Sequence, residues 1–269
     1  MRTLLFLSFV AFYSTVKAQQ VAEVINAENS FAGYAKAYNT KDAFLNFCDS
    51  NAVVFNQGNA INAKKAFSRL KPSSDKLLWQ PAFAGIAASG DLGFSTGPYE
   101  KRPSLTDTIT YGGAFSTIWR KTEDGQWKFL VDMGVTLGNA PMAVQQVKKA
   151  SVGKKTSLKE IENVKNLDLQ FISAYKENAE KAYTTHLHKE ACLNLKNAIL
   201  LLGESQWSKV INSIPTGLEM APMEAGISKA GDLAYVYGLV TFEGKKENYL
   251  RVWQNTAKGW KIILQTLSW

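Results

Sequence analysis

The sequence predicts an α+β protein built from two tandem copies of one domain, each with helices first and a curved antiparallel sheet after them. A Gly-Asp-Leu motif begins at Gly90 and again at Gly231, and each is followed by the same later landmarks. These landmarks are Trp119, Gly125-Gln126-Trp127-Lys128 in the first copy and Trp253, Gly259-Trp260-Lys261 in the second. Helical spacing of apolar residues opens each half, and β-type runs close it. The order of elements therefore predicts fold class and duplication together.

The N-terminus has the pattern of a cleavable secretory signal. Arg2 precedes an apolar run from Leu4 to Phe12, and Val16-Lys17-Ala18 precedes Gln19. The run is too short for a permanent membrane anchor. We therefore expect residues 1–18 to be removed, no membrane anchor in the mature chain, and a periplasmic or extracellular location.

Charge and cysteine usage exclude several classes of function. The formal net charge is +8, but lysines cluster at 148, 149, 154 and 155 between the halves, where a solvated linker is expected. Export also argues against nucleic acid, so we expect no nucleic-acid partner. Cys48 and Cys192 occupy non-equivalent positions in the two copies and have no metal-ligand spacing. We expect two buried, inert thiols, no metal site and no cofactor.

In the first copy, periodicity predicts a long helix from Val21 to Tyr38 and a short one from Ala43 to Cys48. A β-run follows at Ala52 to Phe55, and a third helix runs from Lys64 to Leu70, before Pro72. The remaining strands are predicted at Leu78 to Ser89, Leu92 to Glu100, Ile109 to Arg120 and Trp127 to Val135. We place this domain at residues 19–138.

A segment with little apolar periodicity, 139–157, predicts a linker. The second domain, 158–269, repeats the plan. Helices are predicted at Ile161 to Tyr175, Ala179 to Leu187 and near Glu204, with a β-run at Ala191 to Leu195. Later strands are predicted at Leu218 to Ser228, Leu233 to Phe242, Tyr249 to Gln254 and Trp260 to Leu267.

This plan resembles the cone-shaped fold of the nuclear transport factor 2-like superfamily, which includes ketosteroid isomerase and the SnoaL-like polyketide cyclases. The resemblance is carried in the first copy by Ala52 to Phe55, Ser89 to Phe94 and Trp119 to Asp132. In the second it is carried by Ala230 to Tyr235 and Arg251 to Gln265. It implies two conical pockets, each enclosed by helices and a concave sheet. Because the superfamily includes enzymes, binding modules and assembly domains, it does not imply one activity.

Strand alternation predicts which side chains share a face of the last hairpin. With Asp124-Gly125 as the turn, Thr117 should lie opposite Asp132, and Trp119 opposite Leu130. One face should then carry Phe115, Thr117, Trp119, Lys128, Leu130 and Asp132, and its counterpart Tyr249, Arg251, Trp253, Lys261, Ile263 and Gln265. The other face should carry Ile118, Trp127, Phe129 and Val131, and its counterpart Val252, Trp260, Ile262 and Leu264.

Both faces are substantially apolar, so each sheet needs a cover beyond its own helices. The simplest cover is the sister copy. We therefore expect the sheets to pair as an intramolecular pseudo-dimer, giving a monomer with an internal pseudo-two-fold. Related domains in the superfamily often pair through their sheets, which agrees with this expectation.

Asp132 is the candidate catalytic residue of the first pocket. It lies between Val131 and Met133, and burial would raise its pKa toward the range of a general acid or base. SnoaL-like cyclases resemble this chain in using an aspartate late in the sheet. The alternative is that Asp132 only hydrogen-bonds Thr117 or a helix end. Further candidate ligand-binding residues here are Trp79, Tyr99, Tyr111, Thr117 and Trp119.

The second pocket cannot carry out the acid/base step considered for Asp132, because Gln265 replaces Asp132 and Arg251 replaces Thr117. Arg251, flanked by Trp253, could instead hold a carboxylate or other anion. His186 beside Tyr183 is a candidate lining residue. Its neighbour His188 lies on a different helix face, a poor arrangement for a shared metal.

Three functions remain open from the sequence. The preferred one is an exported protein that binds a small, partly apolar molecule in one or both pockets, with an anionic ligand favoured in the second. The first alternative is a lyase, isomerase or cyclase that uses Asp132 as acid/base, although no second acid on the same sheet face and no isomerase-type oxyanion pair accompany it. The second is a structural interaction module with closed pockets. An open cavity around an Asp132 of perturbed ionisation would favour the enzyme.

Overall fold

A computed structural model describes residues 4–71, 73–139, 144, 146–156 and 164–269, with backbone alone for residues 4–19. Residues 1–3 of the expected signal, and parts of the expected linker and second-domain start (140–143, 145 and 157–163), lie outside the described residues. Within the described part of the chain, none of the helices combines the length and apolar character that a bilayer span requires.

The first copy follows the predicted order of elements. Its helices are α1 (Leu4–Ala37), α2 (Thr40–Phe47) and α3 (Ala63–Ser68). Its strands are β1 (Cys48–Asn56), β2 (Asn59–Asn62), β3 (Lys76–Trp79), β4 (Phe83–Ile86), β5 (Leu92–Arg102), β6 (Tyr111–Lys121) and β7 (Trp127–Gly138). A two-residue strand, β8 (Lys148–Lys149), lies within the segment expected to be a linker and pairs in parallel with β4.

The second copy repeats this order. Its helices are α4 (Val164–Glu177), α5 (Ala179–His186) and α6 (Glu204–Trp207). Its strands are β9 (Leu187–Leu195), β10 (Ala198–Leu202), β11 (Glu219–Ile227), β12 (Leu233–Phe242), β13 (Lys245–Thr256) and β14 (Gly259–Leu267). The same local signals start the second helix of each copy, because the side chains of Asn39 and Asn178 accept hydrogen bonds from Asp42 N and Lys181 N.

Each copy forms one curved sheet. The first has the strand order β2-β1-β7-β6-β5-β4-β8, with β3 also paired to β5, and the second has the order β10-β9-β14-β13-β12-β11. The strand after the second helix pairs in parallel with the last strand of its copy, β1 with β7 and β9 with β14. The long strands of the meander pair antiparallel. The helices cover one face of each sheet.

Two local features of the sheets differ from the prediction. The single strand expected from Leu78 to Ser89 is divided into β3 and β4. The strand is interrupted from Gln80 to Ala82, where the backbone passes over Gly97. A Cβ on Gly97 would lie 2.0 Å from the carbonyl oxygen of Gln80, so only glycine allows this approach. Strands β2 and β10, which pair with β1 and β9, were not predicted from the sequence.

A β-bulge at the same place in both last hairpins corrects the predicted faces. Thr117 lies opposite Asp132 as predicted, but Trp119 lies opposite Phe129 and not Leu130, since Leu130 is the extra residue. Leu130 therefore packs with Ile118 and Val131, whereas Phe129 joins Trp119 against the helices. Ile263 is the extra residue of the second copy, so Ile262 shares a face with Trp253 and Ile263 does not. Trp127 and Trp260, which were predicted on the other face, also pack on the helix side.

The two sheets pack back to back, as predicted for an internal pseudo-dimer. One buried cluster draws side chains from both copies, and its members include Phe94, Ile118, Val131, Met133, Cys192, Leu250, Val252 and Leu264. At its centre Ser116 Oγ and Thr266 Oγ1, one from each copy, are 2.5 Å apart, and Asn194 donates a hydrogen bond to Thr96 Oγ1 at 2.8 Å. The apolar back of each sheet is thus covered by the other.

The recurring Gly-Asp turns join the copies as well as shaping the chain. Gly90 and Gly231 adopt φ values of 70° and 65°, a left-handed conformation that glycine accommodates in a turn. Asp232 Oδ2 accepts a hydrogen bond from Ala88 N at 2.8 Å, and Asp91 Oδ2 accepts one from Lys229 N at 3.1 Å. This reciprocal contact is the signature of a pseudo-two-fold interface.

Candidate functional site

The first copy encloses a cavity of about 380 Å³ between its helices and its concave sheet face. Seven aromatic side chains line it, together with Leu77, Asp132 and Gly134; the seven are Phe31, Phe44, Phe55, Trp79, Tyr99, Tyr111 and Phe115. Three of them, Trp79, Tyr99 and Tyr111, are among the ligand-binding candidates predicted from the sequence. A volume of this size suits a small organic molecule.

Asp132 is the one carboxyl group among the described residues of this wall. It projects from β7 and is partly exposed, and its Oδ2 accepts a hydrogen bond of 2.9 Å from the hydroxyl of Thr117. Burial, aided by the negative charge of Glu28, raises the pKa of Asp132 to about 7, against the lowering effect of the Thr117 hydrogen bond. The carboxyl group can therefore both give and take a proton near neutral pH.

A second opening reaches the same carboxyl group. A depression of about 280 Å³ is bordered by Asp132 and Gly134 on one side and by residues of the second copy, Glu247, Asn248 and Ser268, on the other. Asp132 thus lies where the cavity of the first copy approaches the junction of the two copies.

Glu28 is the functional candidate that the sequence analysis missed. It lies on α1 with no exposed surface, and it accepts hydrogen bonds from Trp79 Nε1 at 2.6 Å, Ser95 Oγ at 2.6 Å and Trp119 Nε1 at 3.0 Å. Burial raises the pKa of Glu28, and the three donors oppose that shift. The sequence held a signal for it, because Glu28 interrupts the apolar stripe of α1 between Val24 and Phe31.

The first cone therefore holds two acids, one from the sheet and one from the helix. Glu28 reaches the cone from α1 and not from the sheet face, where the sequence predicts no second acid. Since the negative charge of Glu28 disfavours ionisation of Asp132, Asp132 keeps its proton to a higher pH than it would without this neighbour. Thr117 and Trp119 lie behind the cavity wall, where they hold Asp132 and Glu28 respectively.

In the second copy the corresponding positions form a buried ion pair. Asp168 occupies the position of Glu28, three residues before Phe171 as Glu28 is before Phe31, and Arg251 Nη1 contacts its two carboxylate oxygens at 3.0 and 2.9 Å. Asp168 also accepts hydrogen bonds from Tyr249 Oη at 2.5 Å and from Trp253 Nε1 at 3.2 Å. Arg251 and Asp168 have no exposed surface.

This pair corrects the expected partner of Arg251. The anion beside the guanidinium is Asp168 of its own chain, and Arg251 Nε donates to Gln265 Oε1 at 2.8 Å, while Gln265 in turn donates to Tyr183 Oη at 3.0 Å. The rings of Phe171 and Tyr249 lie 4.3 and 4.2 Å from the guanidinium carbon. Tyr183, Arg251, Trp253 and Gln265 are thus brought together as predicted, but as one internally paired buried network.

Side-chain size explains why one cone is hollow and the other filled. Gly134 in the first copy corresponds to Leu267 in the second, since each lies two residues after the paired position Asp132 or Gln265. Thr117 likewise corresponds to Arg251, and Ala35 to Tyr175. Leu267, Arg251 and Tyr175 are at most 1% exposed, so the larger side chains fill the volume that the first copy leaves open.

The histidines and cysteines lie outside the first cavity. His186 ends α5, its Nδ1 lies 2.8 Å from Ala182 O, and its ring packs against Phe171 and Trp253, so that burial lowers its pKa. Cys48 and Cys192 are buried and unpaired, and burial raises the pKa of both thiols. Among the described residues, no group of three His, Cys, Asp or Glu side chains could hold a metal ion.

No protein-family model matches the chain, and no curated protein matches it. Solved structures align with about the length of one copy. They include a protein of unknown function from the DUF3225 family of Pectobacterium atrosepticum, 17% identical with a TM-score of 0.37, covering 42% of this chain and 91% of its own. A nuclear transport factor 2-like protein of unknown function from Pseudomonas putida is 14% identical with a TM-score of 0.36, covering 42% of this chain and 87% of its own.

A ketosteroid isomerase-like protein from Erwinia carotovora atroseptica is 15% identical with a TM-score of 0.34, covering 40% of this chain and 95% of its own. At such identities a likeness concerns the fold and not the activity. The chain's own architecture agrees with the resemblance found in its sequence, because each half places its helices first, then a curved meander that they cover. The chain is thus a tandem pair of cone-shaped α+β domains, which resemble the nuclear transport factor 2-like fold and are packed through their sheets.

Proposed function

We propose that the first domain binds a small, partly apolar molecule in its cavity, and that the second domain stabilises the pair without binding one. The observation that supports this most directly is the contrast between the cones. The first has a cavity of about 380 Å³ with one partly exposed carboxyl group in an aromatic wall, whereas the second has a buried network in its place. Apolar walls with few polar groups are typical of small-molecule sites. We further propose that the protein is exported, on the pattern of residues 1–18.

Filling the cavity tests the binding proposal. Gly134→Leu gives the first copy the residue found at the equivalent position, Leu267, and its Cβ would lie 3.4 Å from the Tyr99 ring. We expect this variant to remain folded and to lose at least about tenfold in affinity for the neutral dye phenylnaphthylamine, since the added side chain occupies the ligand volume. Dye fluorescence measures the affinity.

The matched control is Glu219→Leu, which adds leucine at an exposed position of β11, away from the cavity. It should bind the dye as the unmodified protein does. Equal dye affinity in the Gly134→Leu variant would place the dye elsewhere and contradict the proposal.

A second candidate function is acid/base catalysis by Asp132, favoured by the pKa of about 7 of a carboxyl group that faces an open cavity. One elementary step open to a base with this pKa is removal of a proton from a carbon beside a carbonyl group. The interaction module with closed pockets fits the second cone but not the first.

Deuterium exchange tests this candidate. If Asp132 is the base, the protein should accelerate exchange of the methylene protons of phenylacetone in heavy water, and Asp132→Asn should reduce the rate by about 100-fold or more. NMR spectroscopy measures the exchange. A rate that is equal in the variant, or equal to that of buffer, would exclude Asp132 as a base toward such ketones.

A further inference from the structure

The wall of the first cavity combines two features that recognise positive charge. Aromatic rings surround the space, and among the described lining residues the one ionisable group other than tyrosine is the acid Asp132. Ring faces attract cations through their quadrupole, and a carboxylate attracts them by charge. No lysine, arginine or histidine belongs to the described part of this wall.

We propose that the ligand of the first domain is an organic cation, an ammonium group attached to an apolar body, with the ammonium group between the carboxylate of Asp132 and the aromatic side chains. This inference rests on the proposed function and adds the chemical class of the ligand. The ammonium charge would meet the Asp132 carboxylate, and the apolar body would fill the space among the rings.

Acidic groups further from the cavity strengthen the preference for a cation. Glu28 lies behind the wall and accepts the indole N–H of Trp79 at 2.6 Å, which increases the electron density of that ring. Glu247 of the second copy borders the other opening to Asp132. In their ionised forms these carboxyl groups contribute negative potential at the place where a cation would lie.

One lysine contacts the aromatic wall from its rim. Lys101 Nζ lies 5.7 Å from the centroid of the Tyr111 ring and 2.8 Å from Asp75 Oδ2, and Tyr111 itself is 38% exposed. Its charge is therefore paired outside the cavity. The Tyr111 ring thus already contacts one cation, at the rim of the cavity.

The charge of Asp132 couples binding to pH. Glu28 from α1, Tyr99 from β5, Tyr111 from β6 and Glu247 from β13 are the titratable groups that surround it, and each of them is neutral or negative. An ammonium ligand favours the ionised form of Asp132, so its affinity should rise with pH by up to about tenfold per unit below pH 7 and level off above it. A neutral ligand has no such requirement.

The test compares two ligands of nearly equal shape, benzyltrimethylammonium and its neutral isostere neopentylbenzene, by isothermal titration calorimetry with the full chain. At pH 8 we expect the ammonium compound to bind at least about tenfold more tightly than the neutral one. In Asp132→Asn, with folding verified by circular dichroism, that preference should fall to about threefold or less.

A second pair of variants tests the ring contact without changing the acids. Tyr111→Leu should weaken the ammonium compound more than the neutral one, whereas Tyr111→Phe, which keeps the ring, should preserve the preference. Equal or tighter binding of neopentylbenzene at pH 8 would overturn the cation proposal and leave the binding function supported. Binding of neither compound, together with unchanged dye affinity in Gly134→Leu, would overturn both.

Discussion

Replacing Arg251 with methionine is expected to lower the free energy of unfolding by about 3–5 kcal/mol, because it leaves the carboxylate of Asp168 buried without its counter-charge. Both side chains have no exposed surface, and the guanidinium contacts both carboxylate oxygens. Tyr249 and Trp253 still donate hydrogen bonds to Asp168, but two neutral donors do not replace a full positive charge. Urea unfolding followed by circular dichroism measures the loss.

An exposed ion pair of the same chain supplies the control. Lys165→Met removes the Lys165–Glu224 pair, whose side chains are 45% and 64% exposed, and should change the unfolding free energy by at most about 1 kcal/mol. The double variant Arg251→Met with Asp168→Asn should recover part of the loss, since no charge then remains buried. A loss in Arg251→Met no larger than that in Lys165→Met would show that the pair does not hold the second cone together.

The duplication and the main pairing of the sheets could be predicted because their signals are local. A Gly-Asp turn, a tryptophan and a hairpin turn recur in one order, and the pairing of Thr117 with Asp132 follows from counting residues back from the turn at Asp124-Gly125. Two apolar sheet faces in each copy likewise predicted the back-to-back packing. Each of these inferences needs only the spacing of residues within one hairpin or one repeat.

The bulges at Leu130 and Ile263 could not be predicted in this way. Strand alternation assumes that every residue has a partner, and one unpaired residue reverses the faces of everything between it and the turn. Leu130 and Phe129 are both apolar, so the sequence pattern does not show which of them faces the helices. The packing of the sheets against each other and against the helices decides it.

The candidate site was predicted in part. Alternation along the strands identifies the residues of the sheet face, but it does not identify the residues of the helices that close the cone. Asp132 and the aromatic candidates Trp79, Tyr99 and Tyr111 all lie on strands of the sheet. Glu28 and Asp168 were missed because their partners are far away in sequence: Trp119 is 91 residues from Glu28, and Arg251 is 83 residues from Asp168. A single acid in an apolar helical stripe is the signal that points to such a partner.

Asp132→Asn is expected to make the protein more stable than the unmodified chain at pH 8, by about 2–4 kcal/mol, and equally stable near pH 4. Burial raises the pKa of Asp132 from 3.8 to about 7 in the folded state. Between these values the unfolded chain ionises while the folded chain keeps its proton, so stability falls as pH rises, by up to about 1.4 kcal/mol per unit. Above pH 7 both states are ionised and the loss is complete. Asparagine does not ionise, and its carbonyl oxygen can still accept the hydrogen bond from Thr117.

Urea unfolding at several pH values between 4 and 8 measures the difference between the two proteins. Asp124→Asn is the matched control, because a hydrogen bond from Thr122 lowers the pKa of Asp124, so this substitution should act with the opposite sign and remove stability above pH 4. If Asp132→Asn instead destabilised the protein at every pH, Asp132 would be a structural carboxylate that the fold needs in its ionised form. A stabilising substitution at the wall of an open cavity would mean that the fold maintains a charge that weakens it, as expected of a residue retained for binding or catalysis.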